Sequence, residues 1–375
     1  MSFINFNNAG SSFVSEKTSE SIKQFFSQES IYGGYYAEEK FRKKIDEFYT
    51  NTSRLINCNC DEISFVPNTT YAWNFLINSI HFEKTDNVVL FDNEYGSNYI
   101  SLLKKKLKIK ICSLKDGDFS EKELLQKVDN KTRFISLCHI ASQCGEVIDV
   151  NKLGKFINKK FPKVLFIIDA CQSIGQIKID VKKNFCSALV CSGRKYLRGP
   201  RGTGFIYLNE KLNKKIHPSI IDMKNYIVEN KKLKITSYKR IFEVFEYSPA
   251  LKLGLSNSIN EINNYGMKKI ERKNRSLSEY FRRKLSDYPN IKFYENLNKL
   301  SGINTLRIKS TSSQNIHSYL LKKKILTSIP TYQTSTNYFE KKKIKDVLRI
   351  SFHYYNQIKE IDFLVKCLID LAKNK

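Results

Sequence analysis

Two short stretches hold the residues with chemical reach. "FIIDACQS" (166–173) ends an apolar run on Asp169, and "SALVCSGRKYLRGPRGTGFIYL" (187–208) follows a second run with Lys195. Lysine is the side chain that condenses with an aldehyde cofactor, and a carboxylate facing a pyridine nitrogen keeps that ring protonated and electron-withdrawing. Taken alone, Asp169 also suits the cap of a following helix. An acid and a lysine just past the ends of two apolar runs, however, fall where open α/β sheets bind ligands. The turn between the runs carries Arg194, Lys195, Arg198 and Arg201 together with Gly199, Gly202 and Gly204. Cations beside a glycine-rich turn suit a phosphate and a sharply bent backbone next to it.

The surrounding pattern indicates what positions these groups. "NVVLF" (87–91), "KIKICSL" (108–114), "RFISLCH" (133–139), "VLFIID" (164–169), "SALVCS" (187–192) and "GFIYL" (204–208) are short and apolar. Such runs suit strands buried on both faces. Helical patterns lie between them: Phe41, Ile45 and Phe48 share a face, and Leu124, Leu125 and Val128 follow Ser120, with Glu123 in place for a capping box. The alternation predicts an α/β fold with a mostly parallel sheet covered by helices. After about residue 250 the pattern changes to a long helical stretch (251–287), short strands near 291–295 and 303–309, and a final helix with Ile358, Ile361, Leu364, Val365 and Leu368 on one face. Residues 218–245 give no clear pattern.

Composition sets the bounds. The 375 residues carry a formal charge of +27 and a hydrophobic fraction of 41%, which suits a folded globule. The lysines are spread along the chain, as at 104–106, 322–324 and 341–343, with no single basic domain. That spread favours a lysine-rich surface over a nucleic-acid site, although a basic protein that binds nucleic acid without catalysis is the alternative from another class. The nine cysteines read as free thiols, because Cys58 and Cys60 lack zinc spacing and a partner pair, so no metal is expected. No apolar run reaches membrane-span length, and the start lacks a secretory pattern, so a cytoplasmic location is the expectation.

The block "DACQS…SGRKYLRGPRGTGFIYL", with "FNNAG" (6–10), "PNTTYAWN" (67–74), "NEYGSNY" (93–99), "CHIASQ" (138–143) and "DVLRISFHYYN" (346–356), resembles the class V aminotransferase group of fold-type I pyridoxal 5'-phosphate enzymes. That group includes cysteine desulfurases, epimerase-like proteins and sulfoxide lyases. The resemblance implies a large cofactor domain (16–250) with a seven-stranded, mostly parallel sheet. It also implies a small C-terminal α+β domain (251–375) and an N-terminal segment (1–15) near the site. By position it makes Lys195 the Schiff-base lysine and Asp169 the partner of the ring nitrogen. Gln172 would face the phenolic oxygen, and Thr69, Thr70, Ser192 and Arg194 would hold the phosphate. Tyr95 would stack on the ring, and Ser142 stands where a cofactor-contacting asparagine is common. Arg349 becomes the clamp for the substrate carboxylate, with Asn8 and Tyr35 also at the substrate.

The same resemblance implies a homodimer and an amino-acid substrate. Persulfide-forming desulfurases carry a nucleophilic cysteine shortly before the carboxylate arginine, and residues 328–349 contain none. The loop around Tyr332 to Tyr338 is therefore expected to shape a pocket for a substituted amino acid. The favoured reaction is C–S cleavage of a cysteine-derived substrate, with transamination or epimerisation as alternatives. Arg198 and Arg201 have two readings, contact with the substrate or support of the dimer.

Overall fold

The computed structural model describes residues 3–213, 216–309 and 311–373. The outermost residues of the expected first and last segments, and position 310, lie outside that description.

Seven strands form the central sheet, in the spatial order Ile63–Val66, Gly204–Leu208, Ala188–Ser192, Leu165–Asp169, Thr132–Cys138, Asn87–Phe91 and Lys108–Cys112. Gly204–Leu208 runs antiparallel to both its neighbours, and the other pairings are parallel. Every residue of Asn87–Phe91, Ala188–Ser192 and Gly204–Leu208 is buried, as continuous apolar strands covered on both faces must be. The run that shortens most is 108–114, which pairs only over Lys108–Cys112. It lies at the sheet edge, where three of its five residues are half-buried and one is exposed. Ile63–Val66, fully buried at the other edge, is too short for its pattern to stand out in the sequence.

Register brings the chemistry to one end of the sheet. Asp169 pairs with Cys138 on one side and Val190 on the other, so Ser192 and the turn beyond it project past the same ends. Gly204 lets a further element approach: a Cβ there would lie 2.3 Å from the Cys191 carbonyl oxygen and 3.2 Å from Asn68 Cα. The turn that starts helix Thr69–Ser79 can therefore sit against the sheet.

The helical stretch 251–287 is two helices, Pro249–Tyr265 and Met267–Lys284, separated by Gly266 at φ 94°. A left-handed conformation of this kind favours glycine and ends the first helix. Leu255, Ile259 and Ile262 of the first helix and Ile270 of the second pack into the same core cluster as the central sheet. A three-stranded antiparallel sheet, Ile291–Phe293, Ile303–Ile308 and Leu348–Ser351, forms the smaller unit with the final helix Ile358–Lys373. The N-terminal Ile4–Asn5 pairs with Ile325–Leu326 of that unit, so residues 3–15 run between the two parts. Ser120 caps its helix as expected, accepting from the Glu123 N–H. The Glu123 side chain does not close the box and instead accepts from Ser113 N and Lys127. Among the described residues no helix is long and apolar enough to cross a membrane.

Candidate active site

A cleft of about 370 Å³ opens at the strand ends, and its lining includes Thr69, Thr70, Tyr95, Ser142, Asp169, Gln172, Ser192, Arg194 and Lys195. All the residues expected around a cofactor thus meet in one place, although they come from distant parts of the chain. Asp169 ends its strand, and its Oδ1 accepts the Cys171 N–H at 2.9 Å in the cap-like geometry that a strand-to-turn acid favours. Its Oδ2 accepts from Asn98 Nδ2 at 2.9 Å. Burial pushes the Asp169 carboxyl above its ordinary range, against the Cys171 N–H, the nearby Lys195 charge and Asn98.

Thr69 and Ser192 form a hydroxyl pair at the mouth of the helix. Their oxygens are 2.7 Å apart, and the Thr69 N–H donates to Ser192 Oγ at 3.0 Å. Thr70 is exposed on the first turn of that helix, whose N-cap Asn68 accepts from the Tyr71 N–H. Backbone donors and hydroxyls clustered at a helix N-terminus suit a phosphate. Gln172 donates to the Ala9 carbonyl at 3.0 Å while its Oε1, buried in the cleft wall, has no partner. Lys195 is 8% exposed, and no hydrogen bond or ion pair to its ammonium occurs among the described residues. A lone amine, an acid with a raised affinity for protons, an orphaned amide oxygen and a hydroxyl pair make a donor set that fits pyridoxal phosphate.

Arg349 lies behind this cleft. Its guanidinium donates to the Ser142 carbonyl at 3.0 Å, to Ser142 Oγ at 2.7 Å and to Asn7 Oδ1 at 3.2 Å, while Nε is buried without a partner. Burial lowers it to about 10, so it stays charged at neutral pH. Ser142 lines the cleft, yet its oxygens serve Arg349. Asn7, not Asn8, is the asparagine that reaches Arg349. Asn8 is fully buried and donates to the Ser351 and Asn5 carbonyls at 2.7 and 3.0 Å, tying the N-terminal segment to the small domain. Tyr35 is displaced further. It is 80% exposed on helix Gly34–Ile56 and lines a different groove with Glu38, Arg42, Tyr49 and Lys252.

The remaining cations separate. Arg194 lines the cleft, but its guanidinium donates to the Gly10 carbonyl. Arg198 donates to the Phe13 carbonyl at 2.9 Å and the Tyr354 hydroxyl at 3.0 Å, and lies 4.6 Å over the Tyr355 ring. It therefore clamps the N-terminal segment to the small domain, which neither of its sequence readings anticipated. Arg201 is exposed at the cleft rim. His139 and His353 are buried, and burial lowers them to about 4 and about 3, so both are neutral supports.

Sequence reasoning missed Glu94 and Asn98. Glu94 Oε1 accepts from Asn98 Nδ2 at 2.9 Å, placing a second buried acid beside Asp169. The signal was present in "NEYGSN": an acid and an amide four residues apart across a helix start share one face. Glu94, Cys138 and Asp169 bring ligand atoms within 4.8 Å of one another. The Asn98 amide hydrogens already point at both carboxylates, however, so the cluster is a hydrogen-bonded one rather than a cation cage.

Residues 4–364 match the family model described as Aminotransferase class-V. The chain belongs to that family. Over 351 residues this class V protein is 31% identical to a probable cysteine desulfurase of Borreliella burgdorferi, covering 89% of this chain and 81% of the relative. Among solved structures, an apo cysteine desulfurase from Thermococcus onnurineus NA1 aligns with a TM-score of 0.91 at 22% identity, covering 100% of this chain and 95% of that one. A structure of C-DES with glycine covalently linked to its pyridoxal phosphate aligns with a TM-score of 0.88 at 17% identity, covering 98% and 96%. The two structural likenesses show the fold-type I architecture.

Proposed function

We propose that this protein is a C–S lyase that cleaves a cysteine-derived, S-substituted amino acid without a persulfide-forming cysteine. The class V family makes it a pyridoxal-phosphate enzyme. When bound, the cofactor supplies an aldehyde that captures the substrate amine and a protonated ring that withdraws electrons from the α-carbon. Asp169, buried opposite Lys195 in the same cleft, holds the ring nitrogen protonated; that pairing carries the assignment. Thr69, Thr70, Ser192 and the helix N-terminus bind the phosphate, and Gln172 faces the phenolic oxygen. Tyr95 covers the ring face. Arg349, oriented by Ser142 and Asn7, grips the substrate carboxylate. Lys195 removes the proton from the α-carbon, after which the β C–S bond breaks. The net change is an S-substituted cysteine plus water giving pyruvate, ammonium and a thiol.

The segment before Arg349 supports the lyase over persulfide transfer. It contains no cysteine and is folded rather than loose: helix Thr336–Lys342 buries Tyr338 and Phe339. Lys341 ties it to Asp92 at 2.6 Å. Of the thiols that line the cleft, Cys138 is buried and burial holds it protonated. The second reading is desulfuration of cysteine itself, favoured by the 31% identity to a probable cysteine desulfurase. The experiment is incubation with S-methylcysteine, cystine and cysteine, followed for pyruvate, ammonia and alanine. Pyruvate with ammonia from the S-substituted substrates is expected. Alanine and released sulfur from cysteine alone would replace the lyase reading, and keto acid formed only with an amino acceptor would mean transamination.

A second copy of the chain is the partner we infer. Tyr32, Tyr35, Tyr36 and Tyr71 are exposed, as is Phe245, which with Tyr35 lines the groove described above. Sedimentation as a dimer is expected, and a monomer at micromolar concentration would exclude it.

A further inference from the structure

Behind Asp169 stands a buried chain of hydrogen bonds that the mechanism above does not use. Asn98, in the first turn of helix Gly96–Lys104, is 1% exposed. Its amide nitrogen donates at 2.9 Å both to Asp169 Oδ2 and to Glu94 Oε1. Two carboxylate oxygens facing one end of the amide determine which end is nitrogen. Glu94 is itself fixed: the Tyr95 N–H donates to Oε1 at 3.0 Å and the Ser136 hydroxyl to Oε2 at 3.0 Å. The remaining oxygen of Asp169 accepts the Cys171 N–H. A carboxylate held at both oxygens by immobile donors cannot turn about its own axis.

We infer that Asn98, held in place by Glu94, is a positioning residue that fixes the plane of the Asp169 carboxylate against the ring nitrogen of pyridoxal phosphate. The inference rests on the proposed contact between Asp169 and that nitrogen. Without Asn98 the carboxylate has one anchor, at Cys171, and can swing. Without the Glu94 acceptor the Asn98 amide can turn its oxygen toward Asp169, where two acceptors would repel. Burial, and then the Asp169 charge, push the Glu94 carboxyl up to about 7.

The test uses two cofactors that differ at one atom: pyridoxal 5'-phosphate and its 1-deaza analogue, which has carbon in place of the ring nitrogen. Each is titrated into cofactor-stripped full-length protein and followed by its absorption. Asn98→Ala is expected to weaken pyridoxal phosphate about tenfold, the scale of one charge-assisted hydrogen bond, and the deaza analogue less than twofold. Glu94→Ala should weaken the natural cofactor by a smaller factor. Glu94→Gln should recover most of that loss, because its amide oxygen can replace Oε1 while its NH₂ donates to Ser136 Oγ. If Asn98→Ala is insoluble, Asn98→Ser serves, being too short to span both carboxylates. Equal weakening of the two cofactors, or Glu94→Gln as poor as Glu94→Ala, overturns the inference alone. A wild-type protein that takes up no pyridoxal phosphate, or binds both cofactors equally, overturns the Asp169 contact and the inference with it.

Discussion

Asp169 and Glu243 are both buried acids, 3% and 5% exposed, yet they keep opposite company. Glu243 accepts from the Tyr49 hydroxyl at 2.7 Å, the Phe65 N–H at 2.8 Å and Lys224 at 2.8 Å, with Lys252 at 3.9 Å. Burial opposes its ionisation, but Lys252 and Lys224 outweigh burial and hold the carboxyl below its ordinary range. Among the described residues Asp169 has no cation in hydrogen-bond contact. Its neighbour across Asn98 is a second acid, and burial leaves its carboxyl raised. A buried charge with a partner supplied by the chain is structure; one left without is a place for a cation from outside. Under the proposed function that cation is the protonated ring of the cofactor.

The contrast breaks most directly at Lys195. Lys195→Ala should lower turnover of an S-substituted cysteine by about 10⁴-fold, because no other amine in the cleft can move the α-proton. Its melting temperature should stay within a few degrees of wild type, since among the described residues no hydrogen bond or ion pair is made to that ammonium. Retained turnover would mean that the uncompensated site is not where the chemistry occurs.

At the compensated site the signs reverse. Lys252 is 2% exposed, and burial lowers it to about 8 against the pull of Glu243, so at neutral pH the pair is mainly charged. Lys252→Met leaves Glu243 with the half-exposed Lys224 alone and should cost about 3 kcal/mol in urea unfolding. Uptake of pyridoxal phosphate by the protein that remains folded should be unchanged. A stable variant with impaired cofactor uptake would move the groove around Tyr49 into the active site.

The sequence made one side of this comparison readable and hid the other. Asp169 and Lys195 lie 26 positions apart, each beside a buried apolar strand, so the spacing of strands and turn reports their meeting point. Five of the seven central strands announce themselves because they are covered on both faces, and continuous apolar runs follow from that; a sixth, Lys108–Cys112, keeps an apolar pattern although it lies half-buried at the edge. Glu243 and Lys224 lie in residues 218–245, where the hairpin Tyr226–Glu229 with Lys232–Ile235 is largely exposed and has no buried face to impose a period. Asn7 and Ser142 were out of reach for another reason. Asn7 meets Arg349 because residues 3–15 cross to strand Leu348–Ser351, and Ser142 because the turn after Ile140–Ala141 packs there, matters of tertiary placement that no local pattern encodes. Tyr35 shows the converse case: the fold of one chain places it in the groove beside Tyr49 rather than in the cleft.

Asp169→Asn tests the reading of the uncompensated acid with a smaller effect. Removing the charge should lower kcat about 100-fold, on the scale of a lost electrostatic partner at the reacting system, with the substrate KM little changed because Arg349 still binds the carboxylate. The folded protein loses one hydrogen bond and also sheds a desolvated charge. Its stability should therefore fall much less than in Lys252→Met. An equal fall in stability would make Asp169 structural in the manner of Glu243.

The smallest effect separates the two acids by pH. Glu94, raised to about 7 in the folded protein, holds its proton there more tightly than in the unfolded chain. Between its ordinary value near 4.5 and 7 the folded state therefore binds more protons, so stability falls as pH rises and the penalty is complete above 7. For Glu243, lowered in the folded state, the contribution is present above the ordinary carboxylate range and is lost as pH falls through the folded value. In cofactor-free protein, urea unfolding at pH 5.5 and pH 8 should show Glu94→Gln gaining about 2 kcal/mol on wild type at the higher pH relative to the lower. Pyridoxal phosphate, placing a positive ring beside Asp169, should shrink that difference by offsetting the charge that Glu94 faces. A difference that persists undiminished with cofactor bound would mean that the ring's positive charge does not reach this pair of acids.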